Sequence, residues 1–332
     1  MIISKTPLRA SFFGGGTDFK DYYENSIYGY GSVISTTLNM YVYIMVCKRF
    51  DRKIRVCYTR NEFVDSVDEI QHNIIREALR IVGIENGIDI VYSADIPLSS
   101  AGVGLASSSA LAVGVLNALY TYKGVYASPE KLARMACEIE INRLGNPIGI
   151  QDQYACAYGG FRIYKFWADG KVSATPVKAF KENIKILQNN LMLYYTGQTR
   201  ISSEILAEQK DNIPDKNGIL NQMVEMVDKA SYIINDADIG QWGKMLDEAW
   251  YMKKSLASKI SNQDIDLMYE RAKEAGAIGG KVLGAGGGGF LLLYVLDENK
   301  KNVRNMLRDY KEIEFAFENE GSRIIFMEDN RG

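Results

Sequence analysis

The stretch GVGLASSSA, residues 102–110, runs directly into the apolar segment LAVGVLNALY, residues 111–120. Gly102 and Gly104 allow the backbone to approach a ligand closely, and three serines follow where the first turn of a helix would begin. A helix start carries unpaired N–H groups and the positive end of the dipole, which together suit a phosphate. Serine hydroxyls at this place either cap the helix or bind Mg²⁺.

The known phosphate-binding signatures do not match this stretch. A Walker loop requires GxxxxGK[ST], and Lys281 in GGKVLG has no Ser or Thr after it. A dinucleotide fingerprint requires GxGxxG, and its sixth position is occupied by Ser107. On spacing alone, a phosphate loop and a capped helix after a tight turn both remain open.

Glycine clusters at two other places in the chain. Numbered in chain order, the first glycine-rich stretch is FFGGGTD at 12–18, the second is GVGLASSSA, and the third is GGKVLGAGGGGF at 279–290. The four consecutive glycines at 286–289 lose much conformational entropy on folding. Such a run indicates a backbone pressed against a ligand or against another loop. Linkers are also rich in glycine, but an apolar helix or strand does not follow them at once.

Composition excludes several functional classes. The 332 residues carry a formal net charge of -2 and a pI near 5.7, so no basic excess points to nucleic acid or to an anionic membrane. The sequence lacks an apolar run of membrane-spanning length and a signal peptide, and we expect a cytoplasmic protein. The cysteines Cys47, Cys57, Cys137 and Cys156 show no CxxC spacing, which predicts buried free thiols.

A single histidine narrows the chemistry further. His72 lies in DEIQHNIIREAL, a predicted helix, where we expect a solvated surface side chain. One histidine excludes a His-rich zinc site and disfavours a Ser-His-Asp hydrolase. Any acid–base chemistry must then come from a carboxylate or a lysine.

The hydrophobic pattern predicts an α+β protein of two lobes. The first 60 residues have the pattern of strands, and helices are predicted over 67–83, 107–122 and from Ser128 onward. Long polar helices dominate after residue 180, followed by the apolar strand GFLLLYVL. We expect an N-terminal domain over 1–180 and a C-terminal domain over 181–332.

Three stretches together resemble the three sequence motifs of the GHMP kinase family, in order: TPLRASFFGGGTD, PLSSAGVGLASSSALAV and KVLGAGGGGFLLL. Within that family LRASFFGGGTDF and YYTGQTRISSEIL are similar to sugar 1-kinases that act on heptose 7-phosphate. The resemblance implies a two-lobe fold with the active site in the cleft between lobes. It further implies ATP over the second motif, at Gly102, Gly104, Leu105, Ala106, Ser107, Ser108 and Ser109.

The resemblance also implies roles for four polar residues. Ser108 and Glu140 would bind Mg²⁺, while Glu138, two residues away on a helix, would point elsewhere as a solvated carboxylate. Asp152 would accept the proton of the anomeric hydroxyl, and Arg9 would stabilise charge on the transferred group. A purely structural Asp–Arg pair at a lobe interface is the alternative.

The substrate side is predicted in less detail. The first and third motifs would contact the sugar through Gly15, Gly16, Thr17, Asp18, Gly286 and Gly287, with Gly284 and Gly288 nearby. A turn-capping role is the alternative for Asp18. For the phosphate that the substrate already carries we predict Arg200, ahead of Lys20 and Lys5.

Three other functions are compatible with the same fold. They are a 1-kinase for fucose or another unphosphorylated sugar, a non-catalytic sensor of sugar and nucleotide, and a mevalonate diphosphate decarboxylase. The sensor has little reason to keep Arg9, Glu140 and Asp152 together. GGGTD and TGQTR disfavour the decarboxylase. The expected partners are a small sugar phosphate and, in a homodimer, a second copy of the chain.

Overall fold

The computed structural model describes residues 1–96, 104–198, 202–235 and 240–328. Within these ranges the strands form two sheets. The strands are β1 (Ile2–Phe13), β2 (Tyr30–Lys48), β3 (Ile54–Cys57), β4 (Asn61–Val64), β5 (Ile88–Ala94), β6 (Arg162–Trp167), β7 (Val172–Pro176), β8 (Leu191–Tyr195), β9 (Ala277–Val282), β10 (Phe290–Val295), β11 (Lys311–Ile313), β12 (Phe317–Glu318) and β13 (Arg323–Met327).

The α-helices of the described residues surround these sheets. They are α1 (Lys20–Tyr23), α2 (Asn73–Val82), α3 (Ser107–Tyr122), α4 (Pro129–Cys137), α5 (Gln151–Tyr158), α6 (Lys181–Asn189), α7 (Ser202–Asp211), α8 (Ile213–Ile233), α9 (Gly240–Lys254), α10 (Gln263–Glu274) and α11 (Asp297–Met306). A 3₁₀ turn spans Val67–Glu69, and a π-helix spans Glu138–Arg143. None of the described helices is both long and apolar enough to cross a bilayer.

The first sheet is built on the antiparallel hairpin of β1 and β2, which pairs from Ile2 opposite Val46 to Phe13 opposite Ile34. Residues 6–13 are buried without interruption, because α3, α8 and α9 all pack against β1. The pairing register shifts between Pro7 and Leu8, where proline has no N–H to donate to the ladder. This covered end of β1 carries Arg9 toward the interior.

Helix α3 runs through the core of the first lobe. All its residues from Ser109 to Tyr120 are buried, as expected of a helix that is apolar on every side. The preceding Ala106, in the N-cap position, has a left-handed φ of 64°, and among the described residues its side chain provides no capping hydrogen bond. The serines of this turn therefore do not cap the helix.

The second sheet has the strand order β11-β8-β10-β9 and is antiparallel throughout. Helix α9 packs closely on β9, because Gly279 leaves room for the carbonyl of Gly243. Glycine is depleted in strands, which is why the sequence pattern did not predict β9. The helices α6 and α11 were not predicted either.

The predicted α+β class is confirmed, with two sheets and helices packed on them. Strands β6 and β7 form an antiparallel hairpin, and the side chain of Ser128 caps the helix predicted to begin there. The final strands β12 and β13 return to the first sheet, where they pair with β2 and β1. The division into domains at residue 180 stays a prediction.

Candidate active site

A cleft of about 710 Å³ brings together residues from all three glycine-rich stretches. The first contributes Gly15, Gly16 and Asp18, the second the start of α3, and the third Gly284 and Ala285. Further walls come from β1, the π-helix, α5, α7, α9 and β9, through Arg9, Glu140, Asp152, Gln209, Lys253 and Lys281. Residues more than 270 positions apart therefore meet in one cavity.

Arg9 on β1 and Asp152 on α5 form a bidentate ion pair in this cleft. Arg9 Nε donates to Asp152 Oδ1 at 2.8 Å, and Nη2 donates to Oδ2 at 2.7 Å. The remaining guanidinium nitrogen, Nη1, donates to the carbonyl of Gly104 at 2.8 Å. The Arg9 side chain is 4% exposed and that of Asp152 25%. The carboxylate is therefore the member of the pair that is open to the cavity.

Glu140 lies fully buried on the π-helix, close to the start of α3. Its Oε2 accepts hydrogen bonds from Ser109 Oγ at 2.7 Å and from Gln153 Nε2 at 2.6 Å. Burial raises the pKa of this carboxyl, and hydrogen bonds from Ser109, Ser108 and Gln153 oppose the rise. Glu138 lies outside the cleft, where it bonds Asn142 and Arg143, as predicted.

The oxygen atoms around Glu140 have the chemistry of a magnesium site. Glu140 Oε1 and Ser107 Oγ are buried without a protein partner among the described residues, and Ser108 is exposed on the cavity wall. Mg²⁺ prefers such oxygen ligands and commonly takes one or two from the protein and the rest from phosphates and water. A third serine, Ser109, donates its hydrogen bond to the other carboxylate oxygen, Oε2.

Asp18 is a second buried carboxylate that lines the cleft. It accepts hydrogen bonds from Gly16 N at 3.0 Å, from Gln151 N at 3.2 Å and from Gln151 Nε2 at 3.0 Å. Burial and the nearby Asp152 raise its pKa. The bond to Gly16 stabilises the glycine turn, so the turn-capping contact and the position at the cavity occur together.

The second and third glycine stretches touch through their backbones. A Cβ on Gly104 would overlap the carbonyl of Leu283, and one on Gly284 would overlap Gly104. The expected close approach of a glycine run to another loop is therefore present. Gly286 and Gly287 do not line the cavity and instead pack against Ile260, whose carbonyl accepts from Gly287 N at 2.6 Å.

Several predicted residues lie elsewhere. Thr17 is buried away from the cavity, where its hydroxyl donates to the carbonyls of Gly14 and Ser32. Leu105 is a core residue, and its carbonyl accepts from Arg9 N. Lys5 lies over the ring of Tyr41, and Lys20 pairs with Glu24. Gly102 and Arg200 lie outside the described residues.

Two family models match the chain, GHMP kinases N terminal domain over residues 70–160 and GHMP kinases C terminal over residues 231–313. The two segments together cover just over half of the sequence. The chain belongs to the GHMP kinase family. Its predicted family membership is therefore confirmed.

Individual relatives are similar over most of this kinase. It is 29% identical to the D-glycero-alpha-D-manno-heptose 7-phosphate kinase of Campylobacter jejuni, over 96% of this chain and 97% of that protein. It is 26% identical to the L-fucokinase/L-fucose-1-P guanylyltransferase of Bacteroides fragilis, over 90% of this chain and 35% of that protein. The crystal structure of a D-glycero-D-manno-heptose 1-phosphate kinase from Bacteroides thetaiotaomicron superposes with a TM-score of 0.75 at 25% identity, covering 99% and 100% of the two chains.

The prediction for His72 is wrong in this kinase. His72 immediately precedes α2 and lines the cleft with Ile74, Tyr92 and Ile96. Its ring lies edge-on to Tyr58 at 4.9 Å and to Tyr92 at 6.2 Å, and burial lowers its pKa. The expectation failed because the helix begins only at Asn73, so His72 lies before the helix rather than on its surface.

Sequence reasoning missed two lysines of the cleft, Lys253 and Lys281. Lys253 Nζ donates to the carbonyls of Val282, at 3.0 Å, and Gly284. Lys281 Nζ donates to the carbonyl of Phe12 at 2.8 Å. Nothing in the glycine-rich stretch around Lys281 indicates that it forms a buried strand.

Proposed function

We propose that this protein is an ATP- and Mg²⁺-dependent kinase that phosphorylates the anomeric hydroxyl of D-glycero-D-manno-heptose 7-phosphate. The product would be the 1,7-bisphosphate, a precursor of nucleotide-activated heptose for surface polysaccharide. Family membership supports ATP as the phosphoryl donor. The similarity to the Campylobacter jejuni enzyme over 96% of the chain supports the sugar.

The observation that carries the proposal is the Arg9–Asp152 pair in the same cleft as the start of α3. In a kinase the acceptor hydroxyl must lose a proton as it attacks phosphorus, and a carboxylate within hydrogen-bond reach can accept it. Arg9 fixes the orientation of that carboxylate through two bonds and adds positive charge beside the transferred group. A merely structural pair would have no reason to leave Asp152 open to the cavity.

The nucleotide would lie with its phosphates toward the N-terminus of α3, whose first N–H groups have no partner within the helix. Ser108 and Glu140 would hold Mg²⁺, with Ser109 and Gln153 orienting the carboxylate. When bound, the ion would neutralise charge on the phosphate oxygens. The raised pKa of Glu140 in the protein alone is consistent with a carboxylate that needs a cation partner.

The sugar would occupy the part of the cleft between Asp152 and Asp18. Asp18 would accept hydrogen bonds from sugar hydroxyls, and Gly15 and Gly16 leave the surface open to the ring. In the sequence Arg200 stands two residues before Ser202, the first residue of α7, and Ser202 and Ser203 line the cleft. We infer that this end of the cleft binds the 7-phosphate and that Arg200 neutralises it.

The transfer itself moves one proton and one phosphoryl group. The anomeric oxygen forms a bond to the γ-phosphorus as the bond from that phosphorus to the β,γ-bridging oxygen breaks, and ADP leaves. The hydroxyl proton passes to Asp152. Arg9 and the N–H groups of α3 lower the cost of the charge that develops on the transferred group.

A substrate panel tests the proposal. Coupled ADP-release assays would compare heptose 7-phosphate with heptose, L-fucose, galactose and mevalonate at matched concentrations. We expect kcat/KM for heptose 7-phosphate to exceed that for unphosphorylated heptose by about 10² or more, since binding a buried phosphate contributes several kcal/mol. Equal activity on both would contradict the proposed role of the 7-phosphate.

L-fucose is the second candidate, because the Bacteroides fragilis L-fucokinase matches over 90% of this chain. In that case the same panel would show fucose turned over fastest. Heptose 7-phosphate would then act as a poor substrate, and substitution of Arg200 would leave activity unchanged.

A further inference from the structure

Lys281 is a buried lysine on the wall of the cleft. It lies on β9, its residue is 3% exposed, and its amine reaches across to the first glycine stretch to donate to the carbonyl of Phe12. The same side chain lines the cavity that contains Arg9 and Asp152. Its amine therefore lies where the two lobes meet, next to the cleft rather than in solvent.

The charged groups around Lys281 do not compensate a positive charge. Arg9 on β1 faces it and repels its charged form. Asp152 on α5 is held bidentately by Arg9, and Lys253 on α9 brings another cation to the carbonyl of Val282. On β10 the residue opposite is Leu292. Farther along β9, near Ile278, Asp247 on α9 pairs with Lys273 and bonds Tyr269 on α10.

No carboxylate of the described residues forms an ion pair with Lys281. Burying a cation without a counter-charge is costly, and the usual response is loss of the proton. Burial, together with Arg9, lowers the pKa of Lys281 to about 7. The free-energy cost of the buried Lys281 charge is offset when an anion enters the cavity.

We propose that Lys281 is a further catalytic residue, which contacts the phosphoryl oxygens of the bound nucleotide together with Arg9. This assignment rests on the proposed function, because it requires a polyphosphate in the cleft. In the free protein near pH 7 about half of the Lys281 amines are neutral, and the amine is bonded to the carbonyl of Phe12. When the anion binds, the amine takes a proton from solvent, and the ammonium compensates charge on the phosphate.

Proton uptake is the direct consequence of this arrangement. At pH 8 the free amine is mostly unprotonated, so binding should take up roughly 0.5 to 0.9 proton per nucleotide. Calorimetric titration of Mg²⁺·AMPPNP in buffers of different ionisation enthalpy measures that number. Since only the nucleotide is titrated, a wrong assignment of the sugar would leave the proton count unaffected.

Two substitutions and one control complete the test. Lys281→Met should abolish this uptake and weaken nucleotide binding about tenfold or more, whereas Lys281→Arg should restore affinity without uptake, because arginine keeps its charge. Lys273 provides the matched control, since its amine also donates to a carbonyl of β9, that of Ile278, at 2.7 Å, but lies outside the cavity lining. Lys273→Met should behave as wild type.

Two results would contradict the proposed role of Lys281. A Lys281→Met protein that keeps both wild-type proton uptake and wild-type affinity would overturn the proposal. So would a Lys281→Arg protein that binds nucleotide as poorly as Lys281→Met, because a need for the lysine shape alone indicates a structural bond to Phe12.

Discussion

Two cations of the cleft, Arg9 and Lys281, differ in how the protein compensates their charge. Arg9 is paired bidentately with Asp152 and bonded to Gly104, so its charge and all three nitrogens are satisfied in the protein alone. Lys281, on β9, has a backbone carbonyl as its hydrogen-bond partner and Arg9 as its charged neighbour. Arg9 therefore has its counter-charge in the free protein, whereas Lys281 obtains one only when an anion binds.

This difference separates positioning from binding. A compensated pair keeps its geometry at no further electrostatic cost when the substrate arrives, which is what a base and its orienting cation require. An uncompensated cation destabilises the free protein, and this unfavourable free energy is removed when an anion binds. Substitutions on the two sides should therefore differ in whether they change turnover, affinity or stability.

The largest effect is expected at the compensated pair. Asp152→Asn preserves the shape and one bond to Arg9 but removes the proton acceptor, so kcat should fall by roughly 10² or more. Nucleotide affinity, measured by calorimetry, should stay within about threefold of wild type. Asp169→Asn, on the exposed β6–β7 turn, is the control. If turnover of Asp152→Asn stayed within about threefold of wild type, Asp152 would not be the general base.

The next effect is expected at Glu140, the proposed metal ligand. Glu140→Gln removes one charge from a fully buried site, so kcat should fall about tenfold or more and the Mg²⁺ concentration for half-maximal rate should rise. Glu138→Gln is a matched control two residues away, on the solvent side of the π-helix. An unchanged Mg²⁺ requirement in Glu140→Gln would remove it from the metal site.

A smaller effect is expected at the distal phosphate. Arg200→Gln should raise KM for heptose 7-phosphate about tenfold and leave KM for ATP unchanged, because one charge-assisted contact contributes about 1.5–3 kcal/mol. Unphosphorylated heptose serves as the internal control and should not distinguish the two proteins. If KM for both sugars rose equally, Arg200 would act on the sugar or on folding rather than on the phosphate.

The smallest effect concerns the stability of the free protein. Lys281 has a pKa near 7 when folded against 10.5 as the reference, so between these values the unfolded chain binds more protons and stability rises with pH. The contribution is about 1 kcal/mol between pH 7 and 8, or a Tm shift of about 2 °C. Thermal unfolding of wild type and Lys281→Met at both pH values measures it. The variant should lack this increment, and an identical pH dependence would contradict an uncompensated amine.

The sequence allowed prediction of the paired side of the cleft but not of the unpaired one. Arg9, Glu140 and Asp152 each carry a charge that the motifs and their spacing single out, and the structure brings all three to one cavity. Lys281 was treated only as a failed Walker lysine. Its burial depends on β9 packing against both α9 and the first lobe, which a glycine-rich stretch does not reveal.

Two errors have local physical causes. The helix near His72 begins only at Asn73, so the histidine packs on Tyr58 and Tyr92 instead of facing solvent. The segment that carries Glu140 is a π-helix rather than a continuation of α4. Such a segment has an extra residue per turn relative to the α-helical pattern, and it is frequent at functional sites.

The most direct test of the central claim is phosphorus NMR of the product formed from Mg²⁺·ATP and heptose 7-phosphate. The account predicts two sugar phosphate resonances of equal intensity, one of them coupled to the anomeric proton, with one ADP formed per sugar. A single sugar phosphate resonance, or a second one without coupling to the anomeric proton, would contradict phosphorylation at the anomeric oxygen.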